Sequence, residues 1–434
     1  MAFAERLFAP LAQIRSKLHA PSQQVARNGI SHATKPTGER HARTQIAAAL
    51  ECSLTIPCPD PTAEERERDG HQTHGLNLAR QEDWNALSVD ITQAEANKCK
   101  TMGGMSVAEL LAFGARADVV GAAEHALLSG KPDRNAPLMV GIEALEEVLA
   151  EHPSDPVIAA IVAKAHMDIG WAWRGTGWAI EVPAQNREAF DAHFDRAADI
   201  VAPFDGKEMK SSLIASTRCG LTAGKGSPTG TIIRNYESWI DFDPKNTQAM
   251  RAMGSHLLPR WRGTYEQLEL AARRTAGRTY DIWGAGAYAW VLLDAISVDP
   301  VACARLDLDY FLDGLTDILR RCPDQYTVNL LAAYSAITMG STPTGHDEAD
   351  QMRAQIADAA GWIVKDHLTE LHPMLWAHAA RGFDNALKVR CPDRFAASGY
   401  ADALRYLTDL FRRELASGQQ ISFTEHGVVA QTRS

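Results

Sequence analysis

The sequence predicts an all-α protein assembled from helical hairpins, and three observations lead there. Apolar residues recur at helical spacing almost without break from 84 to 415, while strand-like alternation is scarce. Four helical stretches end in proline with apolar residues at the same distances before it: Gly141, Leu145, Val148 and Pro153; Ile232, Tyr236, Trp239 and Pro244; Tyr288, Leu292, Ala295 and Pro300; Phe311, Leu315, Ile318 and Pro323. The tetrapeptide Trp-Arg-Gly-Thr occurs twice, at Trp173 to Thr176 and Trp261 to Thr264.

Each proline pattern places three side chains on one helical face at i, i+4 and i+7, then stops the helix. After three of the prolines a new helical pattern begins, with a small residue at one fixed offset: Ala163, Gly254 and Ala333. A small residue there lets two helices approach closely. Residues 21–83 have little apolar periodicity and read as largely irregular, with one helix at 42–52. The first 20 residues are amphipathic and mildly basic, either a short surface helix or an organelle-type presequence. Residues 416–434 read as a short polar tail. The expected organisation is therefore an N-terminal segment at 1–83, a helical domain at 84–415 and a tail at 416–434.

The phrases "EVLAEHPSDP", "WIDFDPKNT" and "ILRRCPDQYT" mark helix boundaries that resemble those of the tetratricopeptide repeat family. The resemblance covers pieces of 137–350, in degenerate copies. It implies α-α hairpins stacked into a TPR-like superhelix, or solenoid, whose concave surface binds a protein or peptide.

Composition narrows the partners. The 434 residues carry a formal net charge of −10, with 45 % hydrophobic residues. No domain-sized stretch is strongly basic, so nucleic acid and anionic membranes are not expected partners. No run approaches the roughly 20 apolar residues that a membrane span needs. Seven scattered cysteines without a CxxC pair suit a reducing cytoplasm, and leave room only for a local Cys52–Cys58 bridge.

The residue types of Trp-Arg-Gly-Thr suit the turn of a hairpin. Gly175 and Gly263 can take left-handed backbone. Arg174 and Arg262 would face the negative helix end, and Thr176 and Thr264 could cap the next helix. Gln267, three residues after Thr264, completes a capping box. The same residues could also serve a ligand. Trp171, Trp173, Arg174 and Trp178, with Arg260, Trp261 and Arg262, are expected to border a groove for an acidic peptide, since arginine clamps a carboxylate with two hydrogen bonds.

Other candidates fail on spacing. Gly220 to Gly230 lacks the phosphate-loop interval and reads as an interhelical loop. His367, His372 and His378 are five and six residues apart, with Pro373 between, and His71 and His74 have no matching pair, so no metal site is expected. His166 with Asp168, and Asp307, Asp309 and Asp313, lack an identifiable nucleophile. Tyr280, Trp283, Tyr288 and Trp290 read as core. The expectation is a cofactor-free scaffold or adaptor. The alternatives are an all-α enzyme with histidines and carboxylates drawn from separate helices, and a structural subunit of a larger assembly.

Overall fold

The computed structural model describes residues 53–128, 132, 139–175, 182–340, 343–381, 389 and 391–432. It is mostly helical. A two-residue strand β1 (Leu54–Thr55) precedes helices α1 (Ala63–Arg80), α2 (Trp84–Ala96) and α3 (Val107–Ala126). Then come α4 (Val140–Glu151) and α5 (Pro156–Arg174), α6 (Ala184–Val201) and α7 (Ser212–Gly224), and α8 (Thr229–Phe242) and α9 (Thr247–His256). A short 3-10 turn (Pro259–Trp261) leads to α10 (Tyr265–Arg278), the single turn α11 (Tyr280–Trp283), α12 (Gly286–Val298) and α13 (Pro300–Ala304). Helices α14 (Leu308–Arg321) and α15 (Gln325–Ala333) follow, the latter running on as a π-helical turn (Tyr334–Met339). The chain closes with α16 (Asp347–His367), α17 (Pro373–Arg381), α18 (Pro392–Leu410), α19 (Arg412–Ala416) and strands β2 (Gln419–Thr424) and β3 (Gly427–Thr432).

The proline patterns mark real helix ends. Helices α4, α8, α12 and α14 stop just before Pro153, Pro244, Pro300 and Pro323, and Ile232, Tyr236, Trp239, Phe311, Leu315 and Ile318 are buried. A polar cap then starts the next helix. Asp155 accepts the amides of Val157 and Ile158, Asn246 that of Ala249, Asp299 those of Val301 and Ala302, and Asp324 that of Thr327. Ala163 and Ala333 are fully buried. At Gly254 a Cβ would lie 1.7 Å from the Val291 carbonyl oxygen, so α9 and α12 cross nearly backbone to backbone. Some helices pack on the next one in sequence, α4 on α5, α5 on α6, α7 on α8 and α15 on α16, whereas α1 packs on α3, α9 on α12 and α12 on α14 across intervening elements.

Two expectations need correction. Residues 1–52, with the helix expected at 42–52 and Cys52, lie outside the described residues, but 53–83 is not irregular. Thr62 and Glu65 form a capping box, and α1 continues for 18 residues. The buried face of α1 is Glu64, Arg68, Gln72 and Gly75, which is why hydropathy does not reveal it. The tail is also ordered. β2 and β3 form an antiparallel hairpin with Ile421 and Phe423 buried, and β1 joins β2 in parallel at Leu54–Ile421 and Thr55–Ser422. Leu371, between α16 and α17, donates its amide to Pro57 O at 2.8 Å and ties the segment after β1 to the later helices.

Among the described residues no helix is long and apolar enough to cross a membrane.

Candidate functional site

The two Trp-Arg-Gly-Thr copies do end helices, by different means. Trp171, Trp173 and Arg174 form the last turn of α5, and Gly175 (φ 65°) closes it by donating to Trp171 O at 3.0 Å. Arg174 Nη1 donates to the Gly175 carbonyl at 3.2 Å, and its guanidinium lies 5.5 Å from the Trp171 ring centre. Burial lowers the Arg174 pKa from its ordinary value. Thr176 and Trp178 lie outside the described residues. In the second copy the left-handed residue is Arg262 (φ 73°), not Gly263. Gly263 instead permits a close approach: a Cβ there would sit 2.0 Å from Leu257 O. Thr264 caps α10 through the expected box with Gln267. Trp171, Trp173 and Trp261 are half-buried against the core, whereas Arg260 and Arg262 are exposed.

A chain of contacts joins the copies. Trp171 meets Phe194 of α6 edge-on, with centres 5.7 Å apart. Phe194 lies against Gly224, the last residue of α7, where a Cβ would be 2.1 Å from its ring. Two residues on, Gly226 accepts Arg262 Nη1 at 2.9 Å, and Thr229 Oγ1 donates to Arg262 O at 3.0 Å. The C-terminal ends of α5, α7 and α9 therefore fall along one edge. Arg174, Lys225, Arg260 and Arg262 are the cations there, suited to the partial negative charge of helix ends. Lys225 pairs with Asp195 at 2.5 Å, and Arg260 has no hydrogen bond or ion pair among the described residues. Gly220 to Gly230, read as a loop, is helical up to Gly224 and forms the middle of this edge.

A second feature is a cavity of about 510 Å³, which the sequence does not reveal. It lies between the loop 100–105, the start of α9, α11, α12 and the α14–α15 junction. The loop is pinned by α1: Thr101 Oγ1 and the Gly103 amide each donate to Glu64 at 2.7 Å, and the Met102 amide donates to Glu67 at 3.0 Å. Burial raises the Glu64 pKa, the largest influence on it. Lys100 reaches Asp243 at 2.8 Å. Trp283 and Trp290, expected as core, are buried as expected but also wall this cavity. Tyr288 is buried away from it, and Tyr280 is exposed.

One cluster joins two histidines and a carboxylate from three helices. His166 Nδ1 (α5) lies 2.9 Å from His193 Nδ1 (α6), and His166 Nε2 lies 2.8 Å from Glu146 Oε1 (α4). Arg196 binds the same carboxylate at 2.7 and 2.5 Å. Burial lowers the pKa of both histidines, that of His193 to about 4, with His166 adding to the effect. Asp168, two residues from His166, faces elsewhere and pairs with buried Arg116 at 2.9 Å. Asp307 caps α14 and binds Arg273 at 2.7 Å. His372 contacts Glu370 at 2.9 Å and His74 contacts Asp90 at 2.8 Å. Among the described residues no three His, Cys, Asp or Glu side chains are grouped to hold a metal ion.

No family model matches this chain, nor does any curated protein or solved structure.

Proposed function

We propose that the protein is a tetratricopeptide-like scaffold that captures an acidic peptide along the edge formed by the C-terminal ends of α5, α7 and α9. The observation that carries this reading is the run of contacts from Trp171 through Phe194 and Gly224–Gly226 to Arg262, which joins two distant turns in one strip. Half-buried indoles and exposed arginines are the side chains that anchor interfaces best. The scaffold works in a reducing compartment such as the cytoplasm, in keeping with its free thiols.

Arg260 is the clean probe, because among the described residues its side chain makes no hydrogen bond or ion pair that its loss would break. Titrating a fluorescein-labelled peptide of glutamates interspersed with phenylalanine, and following anisotropy, measures the edge. Replacing Arg174, Arg260 and Arg262 singly with alanine should weaken binding by roughly 1–2 kcal/mol each at an anchoring position. Arg260→Ala should leave the melting curve unchanged. If all three variants bind as wild type does, the edge is a turn and nothing more.

The contact of His166, His193 and Glu146 favours a second reading, a proton-transferring enzyme. That reading requires a small molecule to reach His193, and loss of turnover without loss of folding in His193→Gln would support it.

A further inference from the structure

We infer that His166 and His193 form an acid-released latch: a single proton between their rings holds α6 against α5, and a second proton there breaks the hold. The two Nδ1 atoms lie 2.9 Å apart, a hydrogen-bond distance at which one must carry a proton and the other accept it. The rest of the cluster decides which. Arg196 binds both oxygens of Glu146, at 2.7 and 2.5 Å, and keeps that carboxyl below its ordinary pKa, hence ionised. An ionised carboxylate only accepts, so His166 Nε2, 2.8 Å from Glu146 Oε1, is the donor. A neutral imidazole has one N–H, which leaves His166 Nδ1 as acceptor and His193 Nδ1 as donor. The relay runs from His193 through His166 to Glu146, across α6, α5 and α4.

His193 Nε2 is left with a lone pair. A first added proton settles there and keeps every bond. The next can go only to His166 Nδ1, where two N–H groups would point at each other between two charged rings. Burial pushes both pKa values below the ordinary histidine value, that of His193 to about 4, with His166 adding to the effect there and Arg196 opposing a charge on His166. Released rings in water take protons more readily, so acid favours the released form. The latch is at full strength above about pH 6.5 and weakens as pH falls through the lowered values, toward about 4. The charges on the neighbouring elements are engaged elsewhere. On α7, Lys225 pairs with Asp195, and Arg218 donates to the carbonyls of Val201 and Ala202. On α3, Arg116 and Glu109 pair with Asp168 and Lys164 at 2.9 and 3.1 Å. On α2, Glu95 accepts the Leu213 amide at 2.7 Å, and on α6 Asp199 acts on Arg196.

The two helices meet tightly at this level. A Cβ on Gly170 of α5 would lie 3.1 Å from the Phe194 ring and 3.3 Å from His193 Cβ. Helix α6 also seats Trp171 against Phe190 and Phe194, with ring centres 5.0 and 5.7 Å away. It holds the Trp173 carbonyl through Asn186 Nδ2 at 2.7 Å. What frees α6 therefore loosens the end of α5 as well.

Hydrogen exchange of the full chain, followed by mass spectrometry and corrected for the intrinsic effect of pH, reads the latch. Between about pH 7 and pH 5, protection of residues 184–201 should fall roughly tenfold or more relative to that of α14, which contains no histidine. His193→Asn sets an amide donor near the Nδ1 position and does not titrate, so its protection should stay level over the same range. Nitrogen-15 shifts of the histidine rings in the intact chain supply a measurement that needs no variant. At neutral pH they should place the proton on Nε2 of His166 and on Nδ1 of His193. The inference is overturned if wild-type protection is unchanged at pH 5, if folded His193→Asn loses protection in acid as wild type does, or if the ring shifts show the opposite tautomers. It stands apart from peptide capture and from the enzymatic reading, since neither a peptide nor a substrate enters the measurement.

Discussion

Thr264 and Gln267 exchange two hydrogen bonds at 3.2 and 3.1 Å, each satisfying one amide at the start of α10. Thr264→Ala should lower stability by about 1 kcal/mol, read as a shift of the urea midpoint. An unchanged midpoint would show that solvent replaces the cap at no cost. This cap is legible in the sequence because its partners are three residues apart. The left-handed residue beside it is not legible. Glycine has the freer backbone, yet the close approach of Leu257 O claims Gly263 and passes the positive φ to Arg262. The same limit hides the walls of the cavity. Nothing local distinguishes Trp290, whose N–H lacks an acceptor, from Trp283, whose N–H reaches Pro244. The turn residues Trp171, Trp173, Arg174, Arg260, Trp261 and Arg262 were identifiable by type and repetition, but their union into one edge depends on Phe194 and Gly224, which carry no such signal.

At the scale of elements, the helix ends were readable because proline and apolar spacing act within a single helix. Gly254 shows how far that reading extends. Its offset from Pro244 marks a close crossing, and the structure supplies the partner, the carbonyl of Val291. Gly254→Ala should force α9 from α12 and lower stability by about 2–3 kcal/mol, the cost of overpacking a tight contact. A calorimetric melt would register it, and equal stability would mean that the two helices separate freely. Helix α1 escapes the same logic. Its buried side chains are polar, and its intimacy with α3 rests on reciprocal glycines. A Cβ on Gly75 would lie 2.1 Å from Leu111 O, and one on Gly114 would lie 2.0 Å from Gln72 O. Apolar periodicity cannot report a face that is buried by glycine and satisfied by hydrogen bonds.

At the scale of the whole molecule, the pairing of β1 with β2 is the contact that spans the longest stretch of chain. Removing residues 419–432 should uncover Leu54, Ile56 and Phe411 and lower the melting temperature, with new protease cleavage between 53 and 62. Cleavage and melting that match the intact chain would make the sheet an ornament of the surface. The pairing also bears on the order of folding. Helical hairpins rest on contacts close in sequence and can form as each emerges from the ribosome, whereas β1 must wait for a partner at 419–424. Until then Leu54 and Thr55 have no strand to pair with, and closing so long a loop is the largest entropy loss left to make. A chain cut before residue 419 can therefore be richly helical and still leave its first strand without a neighbour.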